Sequence, residues 1–156
     1  TKEMIKKAVR NLQEKGLLKS PFDSKTIIYL SQPLVEKGEV NEKDELDGLL
    51  KIMAKFDGKA QFLYKPHAID TQKKIEKYKK AIPGMSIFNS KVPVELLYAS
   101  EPHIDAVVSY ASSGLMFGEK FADRKINMLS LADLCAKPID ADAHKIMENA
   151  GVEFIE

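Results

Sequence analysis

The chain has 156 residues, with 24 Lys and Arg against 23 Asp and Glu, so its formal net charge is +1. This balance argues against a nucleic-acid binder, which would carry a strong positive excess. Hydrophobic residues make up 44% and there is a single cysteine, which is typical of a globular domain without an internal disulfide or a multi-cysteine zinc site. We also find no signal peptide and no apolar run of the ~20 residues that span a bilayer, so we expect a cytoplasmic protein.

The first predicted element is an amphipathic helix. Apolar residues recur at helical spacing from Ile5 to Leu12, and Gly16 lies near the expected end of the helix. Ser20 and Pro21 then interrupt the pattern. The chain begins with Thr, and we therefore expect a segment of a longer protein.

A second helix is predicted between the first two strands. Asn41 is a suitable cap, and an apolar stripe runs from Leu46 to Phe56. Asp57 and Gly58 should end this helix.

Strands and helices alternate along the rest of the chain. Asp70 is expected to cap a basic helix that extends to Lys80, Pro93 to begin a short helix, and Asp140 to cap a final helix that stops at Gly151. Short apolar runs predict six strands: residues 26–31, 61–65, 85–88, 104–109, 125–129 and 152–155.

This alternation predicts the fold class. Short apolar strands separated by helices indicate a parallel sheet with helices on both faces. We therefore predict a Rossmann-like α/β fold that forms one domain over residues 1–156.

Polar residues follow several predicted strands at the edge where open parallel sheets bind ligands. They are Ser31, Lys65, His67, Asn89, and the run Ser112, Ser113 and Gly114. The chain lacks the glycine fingerprint of dinucleotide sites, the P-loop, and the Gly-x-Ser-x-Gly elbow of hydrolases. A standard NAD site, a P-loop and a hydrolase nucleophile are therefore not expected.

The run from Ser112 to Gly114 is the best candidate for an anion site. Small hydroxyl residues at a turn from strand to helix can surround a phosphate with hydroxyl and backbone N–H groups. The alternative is that one serine only caps the helix.

His67 is the best candidate for an acid, a base or a phosphate contact. It comes directly after a predicted strand and close to Lys65. A histidine there can donate a proton to a leaving phosphate near neutral pH. The alternative is a loop histidine with an ordinary backbone hydrogen bond. His103 precedes a strand and so lies at the opposite edge, and His144 is expected to be solvated.

Asp44, Glu45 and Asp47 cluster at the start of the second helix. A carboxylate there could act as general base towards a hydroxyl, or the cluster could only favour the helix dipole. Cys135 is expected to be a buried small residue rather than a nucleophile. The histidines and this cysteine have no metal-ligand spacing, and we expect neither a metal nor a cofactor.

The basic helix carries five lysines: Lys73, Lys74, Lys77, Lys79 and Lys80. Such a run is usually a solvated face, although anionic lipid headgroups are an alternative partner.

Taken in order, four segments resemble one family. Residues 27–33, 64–67, 92–97 and 109–114 are similar to motifs of the bacterial sialyltransferases of glycosyltransferase family 52, which include lipooligosaccharide sialyltransferases. Bacterial polysialyltransferases share related short motifs. The resemblance covers roughly residues 25–130. One departure is that the family histidine is followed by proline, whereas Ala68 follows His67.

The resemblance implies the C-terminal half of a two-domain GT-B enzyme, with the acceptor-side N-terminal domain missing. It implies inverting, metal-independent transfer from a CMP-sialic acid donor to a glycan acceptor such as lipooligosaccharide or capsule. His67 would assist departure of the phosphate, Ser112 and Ser113 would hold it, and Asp44 or Glu45 would be the base. Gly114, Lys65, Asn89 and Ser31 would complete the binding surface. A cytoplasmic location with peripheral contact to the bacterial inner membrane, and a homodimer, are further expectations.

Two other functions stay open from the sequence. One is a non-catalytic α/β module that binds a phosphate, a sugar or a protein. The other is a GT-B donor domain for a UDP- or GDP-sugar.

Overall fold

A parallel sheet forms the centre of the protein. The computed structural model describes residues 2–16, 22–56 and 58–156. In this part of the chain six strands form one sheet in the order β3-β2-β1-β4-β5-β6, and every neighbouring pair is parallel. The strands are β1 Thr26–Leu30, β2 Gln61–Lys65, β3 Met85–Ile87, β4 Ile104–Ser109, β5 Asn127–Ser130 and β6 Glu153–Phe154.

Helices connect the strands and cover both faces of the sheet. They are α1 Lys2–Glu14, α2 Glu42–Phe56, α3 Gln72–Ala81, α4 Val94–Ser100, α5 Ser113–Phe117 and α6 Ala141–Asn149. Two 3-10 turns, Gly118–Lys120 and Ala132–Leu134, lie on either side of β5.

Alternation along the strands divides the core into two layers. Ile27 and Tyr29 of β1 point to one face, where they pack with residues of α2 and α3. Ile28 and Leu30 point to the other face, where they pack with residues of α4, α5 and α6. Helix α1 lies against α4 on this second side. All five residues of β1 are buried because the strand is covered on both faces and paired on both edges.

The predicted fold class is confirmed, and the six predicted strands match the observed ones to within two residues at each end. One helix cap was wrong. Thr71, not Asp70, caps α3 through its side chain, because the Asp70 carboxylate already accepts hydrogen bonds from the Tyr64 hydroxyl and from His67 N. The predicted breaks at Ser20, Pro21 and Asp57 lie outside the described residues.

A cluster of buried polar side chains lies between the sheet and the α2–α3 layer. Glu45 of α2 is 1% exposed. It accepts hydrogen bonds from the hydroxyls of Tyr29 and, at 2.5 Å, of Tyr78. Lys74 Nζ of α3 lies 3.5 Å from Glu45, 3.2 Å from Asp70 and 3.0 Å from a Glu36 carboxylate oxygen. One ammonium group therefore joins three carboxylates beneath the loops of one sheet edge.

Burial and charge act in opposite directions on the pKa values of this cluster. Burial raises the pKa of Glu45 above its ordinary value and outweighs the two tyrosine hydrogen bonds and Lys74, which lower it. Burial lowers the pKa of Lys74, but the carboxylates of Glu45 and Asp70 outweigh it, so that this pKa is raised. Because the pKa of Glu45 is raised, the proton-linked part of its contribution to stability is present in acid and is lost as the pH rises through that pKa, whereas its role as acceptor for Tyr29 and Tyr78 persists above it.

Removing the Glu45 carboxylate should destabilise the protein. Glu45→Ala leaves the hydroxyls of Tyr29 and Tyr78 without their acceptor and Lys74 with one carboxylate fewer. We expect the free energy of unfolding in urea to fall by about 3–5 kcal/mol at pH 7, as for a broken buried pair.

Asp47→Ala is the control for this measurement. Asp47 lies on the same helix but is exposed, and among the described residues it pairs with Lys43 alone, so we expect a change within about 0.5 kcal/mol. If the unfolding free energy of Glu45→Ala falls by no more than that of Asp47→Ala, within about 0.5 kcal/mol, the cluster does not contribute to stability.

Candidate functional site

The sheet has its switch point between β1 and β4. Connections lead from β1 outward to β2 and β3 on one side, and from β4 outward to β5 and β6 on the other. The loops after β1 and β4 therefore leave the sheet in opposite directions and open a crevice between them, which is where ligands bind in such sheets. This edge, where the strands end, is called the carboxyl edge below.

Gln32, two residues after the end of β1, lies at the base of this crevice. Its Oε1 accepts hydrogen bonds from the backbone N–H groups of Tyr110 at 3.2 Å and Ala111 at 2.9 Å, and lies 3.2 Å from Ser109 Oγ. The Ser109 hydroxyl also donates to Leu30 O at 2.7 Å. Side-chain hydrogen bonds thus join the ends of β1 and β4 beyond the last backbone hydrogen bonds between the two strands.

The loop after β4 brings Ser112, Ser113 and Gly114 to the carboxyl edge. Ser112 Oγ accepts a hydrogen bond from Gly114 N at 3.1 Å and so caps α5. Ser113 is exposed. A Cβ at Gly114 would lie 2.8 Å from Leu30 Cδ1. The absence of a side chain at Gly114 therefore allows the serine loop to sit against the end of β1.

His67 lies on the other side of β1, in a tight turn after β2. Its backbone N–H donates to Asp70 Oδ2 at 3.0 Å, and its carbonyl accepts from Asp70 N at 3.0 Å. Ile69 donates its backbone N–H to His67 Nδ1 at 3.2 Å. A neutral His67 ring therefore carries its proton on Nε2. The ring is exposed at the edge of a cleft.

That cleft has a volume of about 860 Å³ and lies beyond the ends of β2 and β3. Lys65, His67 and Asn89 line it, together with Lys79 and Lys91. Lys65 Nζ donates to Ser90 O at 2.6 Å, and burial lowers the pKa of this lysine. The structure thus brings three of the predicted binding residues into one cationic cleft.

Ser112, Ser113 and Gly114 do not line the cleft of His67. They follow β4, and β1 lies between β4 and β2. The ends of β2 and β4 are therefore separated by two strand spacings, about 10 Å. Ser31 is buried beneath this gap, where its hydroxyl lies 2.9 Å from that of Tyr64.

The two carboxylates predicted as alternative bases differ in environment. Glu45 is buried and bonded by two tyrosines, as described above. Asp44 is half-buried, and its side chain has no hydrogen-bond or ion-pair partner among the described residues. It lies close enough to Tyr110 and Cys135 to raise the pKa of both, in addition to the larger effect of their burial.

A second cavity, of about 310 Å³, lies on the β4 and β5 side of the switch point. Gln32, Ala111, Lys137 and Cys135 are part of its lining. Cys135 is half-buried rather than fully buried, and burial, followed by Asp44, raises the pKa of its thiol to about 11. A thiol with this pKa is protonated at neutral pH and is a poor nucleophile.

Other predicted features have mixed outcomes. His103 lies at the opposite edge of the sheet, where its carbonyl accepts from Thr26 N. His144 is not simply solvated, since it stacks on Phe154 with ring centroids 4.0 Å apart and lies 3.2 Å from Asp133. Within residues 2–16, 22–56 and 58–156, no three His, Cys, Asp or Glu side chains form a group that could hold a metal ion.

The basic helix is less cationic at its surface than its sequence indicates. Lys74 is buried in the polar cluster, and Lys77 pairs with Glu42. Lys73, Lys79 and Lys80 remain exposed. The helices that the structure describes are all too short or too polar to cross a membrane.

Sequence reasoning missed Gln32 and Asp70 as residues of the site. Gln32 lies within the segment 27–33 that carries the family resemblance but has no predicted role, and Asp70 is predicted only as a helix cap. A glutamine directly after a buried strand, and an aspartate three residues after the site histidine, are the signals in the sequence.

A comparison with the profiles of protein families identifies the family of this chain. The profile described as alpha-2,8-polysialyltransferase matches residues 1–129. The match includes both the His67 turn and the Ser112 loop. The chain belongs to the alpha-2,8-polysialyltransferase family. No curated protein matches the chain.

This family is one of sialyltransferases, which are glycosyltransferases that use a sugar donor and a glycan acceptor. The sialyltransferase part of the sequence resemblance is therefore confirmed. The match supports neither a place in glycosyltransferase family 52 nor an assignment to the C-terminal half of an enzyme.

The contact between Gln32 and the serine loop can be tested in this polysialyltransferase-family chain. Gln32→Leu removes the acceptor of the Tyr110 and Ala111 N–H groups. We expect a loss of about 1–3 kcal/mol in unfolding free energy and faster hydrogen exchange at these two amides. Gln32→Glu keeps an acceptor oxygen and should preserve slow exchange. If Gln32→Leu leaves both amides as protected as in the wild type, the contact does not hold the loop.

Proposed function

We propose that this chain binds the nucleotide of CMP-sialic acid for an inverting, metal-independent sialyltransferase. The observation that carries the proposal is the position of His67 and the Ser112 loop on the same edge of the sheet, on either side of β1. The gap of about 10 Å between the ends of β2 and β4 is short enough for one nucleoside monophosphate to reach both loops. The family match supports sialic acid as the transferred sugar.

The leaving group explains which side chains are needed. Departure of CMP leaves negative charge on its phosphate, so hydrogen-bond donors at that phosphate lower the barrier. His67 offers Nε2–H, because Nδ1 is bonded to Ile69 N. Ser112 Oγ is the acceptor in the cap, and neither the Ser112 nor the Ser113 hydroxyl donates a hydrogen bond within the part of the chain that the structure describes, so both hydroxyl hydrogens are available.

The cationic cleft supports an anionic ligand beside His67. Lys65, Lys79 and Lys91 lie around it, with Asn89 as a neutral hydrogen-bonding group. Glu76 and Asp70 also line the cleft and offset part of this charge. An anion is therefore favoured near the lysines, while the amide of Asn89 suits a sugar hydroxyl or a base edge.

The structure favours Asp44 over Glu45 as the proposed base. A general base must reach the acceptor hydroxyl and take its proton. The Glu45 oxygens accept from Tyr29 and Tyr78 and are sealed from solvent. The Asp44 carboxylate has no such partner among the described residues, and it is near enough to Tyr110 and Cys135 to contribute to the raised pKa of both.

Nucleotide selectivity is the most direct test of the donor. We expect CMP to bind the chain more tightly than UMP or GMP in calorimetric titrations, because the proposed donor carries cytidine. Replacing both Ser112 and Ser113 by Ala should weaken CMP binding about 10- to 100-fold through the loss of phosphate hydrogen bonds.

The outcomes of the titration separate the functions left open by the sequence. A preference for UMP or GMP would contradict CMP and indicate another sugar donor. No binding of any nucleotide would favour a non-catalytic module. An unchanged CMP affinity in the double serine variant would reject the phosphate site.

The two proposed proton-handling residues make a second prediction. In an active sialyltransferase that contains this chain, His67→Ala and Asp44→Asn should each lower kcat for transfer to an oligosialic acid about 100- to 10,000-fold. Glu42→Gln is the control, because Glu42 is in the same helix turn but pairs with Lys77. Wild-type turnover in either test variant would remove that residue from the mechanism.

A further inference from the structure

Asp70 closes the turn that carries His67 through two hydrogen bonds to the His67 backbone. Asp70 accepts the His67 N–H through its side chain and donates its own N–H to the His67 carbonyl. Between them Ile69 donates to the ring nitrogen Nδ1. The backbone of the turn and the orientation of the imidazole are thus set by the same few bonds.

Asp70 is itself fixed from below. Its side chain is fully buried, although it belongs to a surface turn. Tyr64 donates its hydroxyl to Asp70 Oδ2 at 2.7 Å, and Lys74 Nζ lies 3.2 Å from Oδ1. Each carboxylate oxygen therefore has a specific partner in the core in addition to the bond from His67 N.

The partners of Asp70 are in turn held by the rest of the polar cluster. Lys74 also contacts Glu45 and Glu36, and the Tyr64 hydroxyl lies 2.9 Å from Ser31 Oγ at the end of β1. A continuous chain of bonds thus leads from α2, α3 and β1 to the His67 turn. A buried, fully bonded network of this kind restricts the movement of what it holds.

We propose that Asp70 is a positioning residue that fixes the ring of His67 with its proton on Nε2, facing the cleft. The inference rests on the proposed function for its catalytic meaning, because Nε2–H would be the donor to the leaving phosphate. Without Asp70 the turn would lose the bond that holds His67 N, and Ile69 N would no longer be aimed at Nδ1. Both neutral tautomers of the ring would then be populated.

The tautomer of His67 can be observed directly. The chain has only three histidines, so long-range ¹H–¹⁵N spectra of the ¹⁵N-labelled chain are simple, and His67→Gln assigns the His67 signals. At a pH where the ring is neutral we expect a single Nε2–H tautomer in the wild type. Asp70→Ala should give a mixture of tautomers. It should also lower kcat about 100-fold with little change in donor KM, as for a misplaced catalytic group.

Two further variants keep the test valid if Asp70→Ala does not fold. Asp70→Asn retains an oxygen acceptor for His67 N and should largely preserve the Nε2–H tautomer. Tyr64→Phe removes the hydroxyl that donates to Asp70. It should give a fraction of the Nε2–H tautomer between that of the wild type and that of Asp70→Ala. Tyr78→Phe is the matched control, since its hydroxyl bonds Glu45 and does not touch the turn.

The results distinguish this inference from the proposed function. If the tautomer is the same in wild type, Asp70→Ala and Tyr64→Phe, Asp70 does not position His67, whatever the activity of His67→Ala. A tautomer mixture already present in the wild type would overturn the inference equally. If instead the tautomer shifts as expected while His67→Ala keeps full turnover, Asp70 positions the ring but the assigned role of His67 is wrong.

Discussion

The pairing of β1 with both β2 and β4 is the constraint on which the rest of this structure depends. Because all three strands are parallel, their carboxyl ends meet at one edge. Because the sheet grows outward in both directions from β1 and β4, the loops at that edge diverge and leave a crevice. His67 and the Ser112 loop are 45 residues apart in the sequence, and this pairing alone makes them neighbours across a single strand.

The polar cluster beneath the crevice gives these loops a rigid base. Burying Glu45, Asp70 and Lys74 is costly in free energy, and their mutual pairing offsets this only when every partner is present. Two tyrosines from adjacent strands and one from α3 supply the remaining hydrogen bonds. The cluster therefore links the α2–α3 layer to the turn of His67, so that stability and site geometry depend on the same side chains.

Membership of the alpha-2,8-polysialyltransferase family and the layout of the edge are mutually consistent. Sialyl transfer needs donors at a departing phosphate and a base at an acceptor hydroxyl. The described residues offer hydrogen-bond donors on both sides of β1, and among them the half-buried Asp44 carboxylate has no hydrogen-bond or ion-pair partner. Glu45 follows Asp44 directly in the sequence, but it is buried and its carboxylate bonds core tyrosines instead.

The sequence by itself determined the layers and the candidate loops, because hydrophobic periodicity and turn residues are local signals. They predicted the six strands, the cap at Asp140, and the loops that carry Lys65, His67 and Asn89. Tertiary structure decided the rest. The strand order, the burial of Glu45 and Lys74, and the roles of Gln32 and Asp70 arise from contacts between segments far apart in the chain. The pattern of residues within one segment does not encode which distant segment will supply its hydrogen-bond partners, so only the packed sheet and helices define them.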